Sequence, residues 1–185
     1  METGIDFVVD VVMHRMPQAG IQCIMIGGHA VNHYGVIRAT QDIDFMIAAS
    51  AADDVKRIMR DAGFTNIAVH ETVMFFNQPN SPLRVDFLKV DQDTIQKLLS
   101  NAVKANYAGS DDVLVPRLQD LLAMKLFALT TGGPKRRDKD FGDIVNLVIE
   151  NGVDVETDLR ALIHEFGTDA IYAELQTRIK ELCHA

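Results

Sequence analysis

The sequence predicts an α/β chain of the α+β kind, with a small mixed or antiparallel sheet flanked by helices and then a C-terminal helical half. Three observations predict it. Short apolar runs rich in β-branched and aromatic residues, at 24–26, 43–47, 64–69, 72–76 and 83–88, alternate with helical segments through the first half of the chain. From Leu118 the pattern changes: Leu118, Leu121, Leu122 and Leu126 cluster on neighbouring turns of a helix. A polar loop at 106–112, a short strand at 113–115 and Pro116 separate the two patterns. The expected organisation is therefore an α/β core over residues 1–110 and a helical region over 111–185 packed on it.

Taken in order, residues 5–16 place Phe7, Val8, Val11 and Val12 on one helical face, and Pro17 and Gly20 end the segment. Ile24, Met25 and Ile26 form a buried strand that runs into Gly27 and Gly28, and a short helix begins at His29. The next strand opens with Asp42, Ile43, Asp44 and Phe45. A helix over 51–62 buries Val55, Ile58 and Met59 and stops at Gly63. Two short strands follow, then a turn-rich connection at 77–82 and a strand carrying Arg84, Val85, Asp86 and Phe87. Asp91 or Asp93 caps a helix over 94–99. After the long helix at 118–129, a basic loop at 135–140 leads to a helix with Ile144, Val145, Leu147 and Val148.

Composition bounds the function classes. With 48% hydrophobic and 24% charged residues over 185 positions, the chain can bury a sizeable core and is not disordered. A formal net charge of −8 gives no global attraction to nucleic acid, so an RNA or DNA substrate would need a local basic patch. Lys135, Arg136, Arg137 and Lys139 form the obvious patch, although such a cluster is more often a solvated loop. Cys23 and Cys183 have neither metal-ligand nor disulfide spacing, which suits a reducing cytoplasm. No apolar run has the length of a membrane span, and acidic Glu2 and Asp6 stand where a signal peptide would be basic. A soluble cytoplasmic protein with no membrane partner is expected.

The chemistry concentrates between Ile24 and Ile47. Residues two apart on a strand share a face, so Asp42 and Asp44 project together while Ile43 and Phe45 enter the core. Adjacent carboxylates repel unless a cation sits between them, and magnesium is the natural occupant. Gly27 and Gly28 lie at a strand-to-helix turn, where bare backbone can approach a phosphate. The stretch therefore describes a site for a metal-bound nucleoside triphosphate. His29 and His33 are one helical turn apart but lack the glutamate of a zinc-protease motif, and packing is the better reading.

The glycine turn followed by Asp-x-Asp resembles the signature of the nucleotidyltransferase superfamily that includes DNA polymerase beta. The Gly-Gly form, with Arg38 and Thr40 ahead of Asp42, is more similar to the AbiEii-type nucleotidyltransferases, toxins of type IV toxin–antitoxin systems, and to small antibiotic nucleotidyltransferases. The resemblance spans about Gly27 to Leu147 and implies the nucleotidyltransferase fold. It also implies a third carboxylate on a later strand, which Asp86 fits, and a lysine near the nucleotide phosphates, which Lys125 fits. Both positions keep an alternative: Asp86 as the partner of Arg84, and Lys125 as a side chain reaching from an apolar face to water.

The implied activity is magnesium-dependent transfer of a nucleoside monophosphate to a hydroxyl acceptor, with release of pyrophosphate. Asp42, Asp44 and Asp86 would hold two magnesium ions. Gly27, Gly28, His29, Arg38, Thr40 and Lys125 would hold the nucleotide. The acceptor is left open among RNA, protein and a small molecule, and a toxin role would add an antitoxin protein as partner. One departure stands out: Gly28 occupies a position where many superfamily members carry serine, so the backbone amides or His29 would have to replace a hydroxyl. A catalytically silent nucleotide-binding or interaction scaffold is the competing reading, and clustered carboxylates argue against it.

Overall fold

A computed structural model describes residues 4–78 and 80–183, apart from the side chains of residues 66, 67 and 134–136. Helix α1 (Ile5–Asp10) continues through a π turn at Val11–Arg15 into α2 (Met16–Gln18). Strand β1 (Cys23–Ile26) leads into α3 (Gly27–His33) and β2 (Asp42–Ala48). A 3₁₀ turn at Ala49–Ala51 opens α4 (Ala52–Asp61), and strands β3 (Thr65–Val69), β4 (Val73–Asn77) and β5 (Arg84–Val90) follow. Next come α5 (Gln92–Asn101), β6 (Val103–Tyr107) and β7 (Ser110–Val115). Helices α6 (Leu118–Thr131) and α7 (Pro134–Glu150), a π turn at Val155–Leu159, α8 (Arg160–Phe166) and α9 (Asp169–Cys183) complete the chain.

Five strands form a mixed sheet in the order β1-β2-β5-β4-β3, with β2 and β5 parallel and the other pairs antiparallel. Alternation within β2 sends Ile43, Phe45 and Ile47 to one face, all fully buried. Val85 and Phe87 of β5 join them, and Phe87 lies 5.7 Å from Phe45 and 5.8 Å from Phe76, ring centre to ring centre. These rings lock the register of the central parallel pair, because a slip of one residue would turn the carboxylates into the core. Strand β1 is an edge strand with all four residues buried, and β7 packs against it. Covering the edge removes a template for unwanted pairing.

The chain divides into two compact units. One comprises the residues up to 30 with 38–117, and the other comprises 31–37 with the residues from 118 onward. The division falls between Arg117 and Leu118 rather than at 110/111, because β7 pairs with β6 in the first unit. The expected polar loop at 106–112 is in fact the turn and second strand of this hairpin. Ala108 (φ 49°) and Gly109 (φ 77°) supply the two left-handed residues of a tight turn. Only Ala105 of β6 is buried, and so weak an apolar signal conceals the strand.

In the second unit, α6 buries Leu121, Leu122, Leu126 and Leu129, and α7 buries Ile144, Val145, Leu147 and Val148. The expected basic loop at 135–140 is helical: Gly133 caps α7 and Pro134 opens it, where its missing N–H is not needed. Among the described residues no helix is long and apolar enough to cross a membrane.

Replacing Phe87 by Ala removes the ring that joins β2, β4 and β5. It should lower unfolding free energy by about 3–5 kcal/mol in urea titrations, with little change in slope.

Candidate active site

Parallel pairing of β2 with β5 sets Asp42 opposite Arg84 and Asp44 opposite Asp86. All four side chains emerge on the face opposite the Phe45–Phe87 core, because each stands one residue away from a core position. Phe75 of β4 is the register partner of Asp86 on its other side. The structure thus gathers the three sequence-predicted carboxylates on one face, and it adds a cation from the same strand.

That cation is the guanidinium of Arg84. Its Nη2 donates to Asp42 Oδ2 at 2.5 Å and to Asp86 Oδ2 at 3.1 Å, while Nε donates to Asp86 Oδ1 at 2.9 Å. The same group lies 5.2 Å above the Phe75 ring, a cation–π contact. Burial works against the Arg84 charge, but the hydrogen bonds and charge of Asp86, then the charges of Asp42 and Asp44, outweigh it and raise its pKa. Among the described residues no group of three or more His, Cys, Asp or Glu side chains is arranged to hold a metal ion. Asp86 is therefore the partner of Arg84 in this arrangement, one of the two readings that the sequence left open.

The donor set nevertheless fits a hard divalent cation. Three carboxylates on one sheet face supply oxygen ligands of the kind magnesium takes. The fork of Arg84 is itself a stand-in ion, showing that the Asp42–Asp86 face already draws positive charge.

The glycine turn is built against this face. Gly27 has φ +67°, and a Cβ there would overlap the Asp44 carboxylate, so only glycine lets the chain turn over that side chain. Gly28 is constrained differently. A Cβ on it would lie 2.7 Å from Arg38 Nη2 and 2.7 Å from Thr40 Oγ1. These two side chains occupy the space that a serine side chain would need, and Thr40 Oγ1 donates to the Asp42 carbonyl at 3.3 Å. Sequence reasoning expects the backbone amides or His29 to stand in for a serine hydroxyl here, and the structure adds Thr40 and Arg38 beside Gly28.

His29 faces Tyr107 instead. The Tyr107 hydroxyl lies 2.8 Å from His29 Nδ1 and 3.1 Å from Nε2, with the rings edge to face. Burial, then the charge of Arg38, lowers the His29 pKa below its ordinary 6.5. Burial, then the charge of Asp6, pushes the Tyr107 hydroxyl up to about 12. The pair is a neutral hydrogen-bonded couple at neutral pH. Sequence reasoning misses Tyr107 because the polar hairpin looks like a loop, and it offers Arg84 only as an alternative partner of Asp86, not as a bridge to Asp42. The i, i+2 spacing of Arg84 and Asp86 on a strand was the available signal.

Lys125 belongs to the helical unit. It is 7% exposed, and its Nζ donates to Asp140 at 2.9 Å and to Asp143 at 2.5 Å, both also buried. The side chain does not reach water from an apolar face; two carboxylates three residues apart on α7 take its charge. Arg137 of the basic cluster pairs with Glu174 at 2.6 Å, and the side chains of Lys135 and Arg136 lie outside the described residues.

A family model for the nucleotidyl transferase AbiEii toxin of type IV toxin–antitoxin systems matches residues 12–178. The chain belongs to the AbiEii nucleotidyltransferase family. Among solved structures it resembles the antibiotic-resistance factor ANT(2'')-Ia in complex with adenylyl-2''-tobramycin, at TM-score 0.63 and 12% identity over 95% of this chain and 99% of that one. A solution structure of ANT(2'')-Ia gives TM-score 0.58 at 12% identity over 100% and 97%. The lincosamide antibiotic adenylyltransferase LnuA, lincomycin-bound, gives 0.55 at 15% identity over 80% and 98%. No curated protein matches the sequence. Family and fold together make this AbiEii-family chain a nucleotidyltransferase.

Two outcomes test this geometry. Lys125→Met removes the ammonium that Asp140 and Asp143 share and should cost about 3–5 kcal/mol of stability in denaturant unfolding, part of which returns in the Lys125→Met, Asp143→Asn double variant. The lowered pKa of His29 sets a sign as well. The unfolded chain takes up the proton first, so this contribution is complete above 6.5 and is lost as pH falls through the folded value. Thermal melts should show a smaller loss below 6.5 in His29→Gln than in the wild type, and NMR should place the wild-type His29 midpoint under 6.5.

Proposed function

We propose that this chain binds a nucleoside triphosphate with divalent metal at Asp42, Asp44 and Asp86 and transfers the nucleoside monophosphate to a hydroxyl acceptor, releasing pyrophosphate. One observation carries the reading: the register that sets Asp44 beside Asp86, with Asp42 two residues away on the same face and under a glycine turn that admits no side chain at Gly27. Three carboxylates against the single Arg84 guanidinium leave an excess of negative charge on this face, which favours a cation-binding site over a bare scaffold.

Magnesium bound by these carboxylates would hold the triphosphate and make the acceptor hydroxyl more acidic. Asp86, only 8% exposed, takes the hydroxyl proton as the acceptor oxygen bonds to the α-phosphorus. The bond from that phosphorus to the β-phosphate oxygen breaks, and pyrophosphate leaves. The Gly27–Gly28 backbone, Arg38 and Thr40 hold the departing phosphates: the guanidinium offsets their charge, and the Thr40 hydroxyl turns from the Asp42 carbonyl to donate to a phosphate oxygen. His29, kept neutral beside Tyr107, offers a hydrogen bond without adding charge.

The toxin description of the family supports a role in a toxin–antitoxin pair, with RNA or a protein as acceptor and an antitoxin as partner. The antibiotics named with the two structural neighbours define the small-molecule alternative. A cytoplasmic enzyme is the setting that supplies triphosphate and magnesium.

The test is transfer of label from each α-labelled triphosphate to bulk RNA, to protein and to an antibiotic panel, alongside calorimetric titration of the four triphosphates with and without magnesium. Asp44→Asn should bind no metal–triphosphate complex and lose transfer by about 100-fold or more while remaining folded. Retention of transfer in that variant would remove these carboxylates from the site.

A further inference from the structure

Arg84 is unlike three basic residues on the surface of the α/β unit. Lys56, Arg57 and Lys104 each pair with an exposed carboxylate on the protein surface. Arg84 instead bridges two strands: one guanidinium spans Asp42 of β2 and Asp86 of β5 with three hydrogen bonds. Its position follows from the register. Arg84 faces Asp42 directly across the parallel pair and precedes Asp86 by two residues, so the fork closes over both carboxylates without leaving the sheet face.

We infer that Arg84 is a resident counter-cation of the carboxylate face, competing with divalent metal for Asp42 and Asp86, so that metal binding must displace its guanidinium. This rests on the assignment of Asp42, Asp44 and Asp86 as the metal site. A carboxylate whose lone pairs are taken by Arg84 offers fewer to a metal. Conversely, a metal between the strands would repel a guanidinium within hydrogen-bonding distance of the same oxygens.

The surroundings allow the exchange. The Arg84 side chain is 41% exposed and that of Asp42 38%, against 11% for Asp86, so the guanidinium can leave toward water while the carboxylates keep their places. The Phe75 ring beneath it offers a cation–π surface that does not depend on the carboxylates. Arg84 thereby offsets part of the carboxylate charge without metal.

The experiment measures Mn²⁺ binding to the nucleotide-free protein by electron paramagnetic resonance, together with the melting temperature with and without the metal. Arg84→Gln, which keeps hydrogen-bonding atoms but not the charge, should bind Mn²⁺ about tenfold more tightly than the wild type. It should melt lower without metal and gain more from its addition. Arg84→Lys, a point charge without the fork, should lie between the two. Recovery of the Gln variant only in the presence of divalent metal would support the same conclusion.

Equal Mn²⁺ affinity in wild type, Arg84→Gln and Arg84→Lys, with Asp44→Asn weakening all three, would overturn the role of Arg84 and leave the metal site standing. If Asp42→Asn and Asp44→Asn left Mn²⁺ binding to Arg84→Gln unchanged, the metal would lie elsewhere, and the site assignment itself would fall.

Discussion

Carboxylate repulsion across the β2–β5 pair is the constraint on which the α/β unit turns. Asp42, Asp44 and Asp86 reach one face because the opposite positions are Ile43, Phe45, Val85 and Phe87, all fully buried. The core therefore decides the site: the same alternation that packs the rings places three acids together, at an electrostatic cost. Arg84 offsets that cost from within the strand. Its exposure and its two-strand grip describe a local arrangement that a stronger cation can exchange with, since exposed ion pairs contribute little individually and a divalent ion brings twice the charge.

The turn above the carboxylates shows how two adjacent glycines can serve different ends. Gly27 is needed for backbone conformation and for clearance over Asp44. Gly28 is needed for side-chain clearance, because Arg38 and Thr40 fold back into the space beside it. A threonine hydroxyl and a guanidinium delivered from the far end of the loop fill the space beside Gly28. His29 and Tyr107 add a neutral couple at the next position.

The helical unit solves a related problem with the opposite balance. Lys125 stands among buried leucines on α6, where a lone ammonium would be prohibitive to desolvate. Asp140 and Asp143, one turn apart on α7, surround it and tie the two helices. Where Arg84 is accessible and exchangeable, Lys125 is enclosed, and so its partners define where α6 and α7 meet.

Local pattern was enough to read most of the strands, the helices at 118–129 and 144–148, the glycine turn and the shared face of Asp42 and Asp44, since alternation, helical spacing and glycine chemistry are properties of neighbouring residues. Hairpin β6–β7 was hidden because Lys104, Asn106, Asp111 and Asp112 dominate its exposed positions, leaving little apolar alternation to detect. The basic stretch after Gly133 was read as a loop because its charge concealed a proline-initiated helix. What the sequence by itself determined is the glycine turn, the strand that opens with Asp42 and Asp44, and that these two carboxylates share a face. Only the tertiary structure decided that β5 lies parallel to β2, so that Arg84 meets Asp42, Asp44 meets Asp86, and the first cation on the site is the chain's own. Strand pairing joins residues more than forty positions apart, and no local periodicity encodes it.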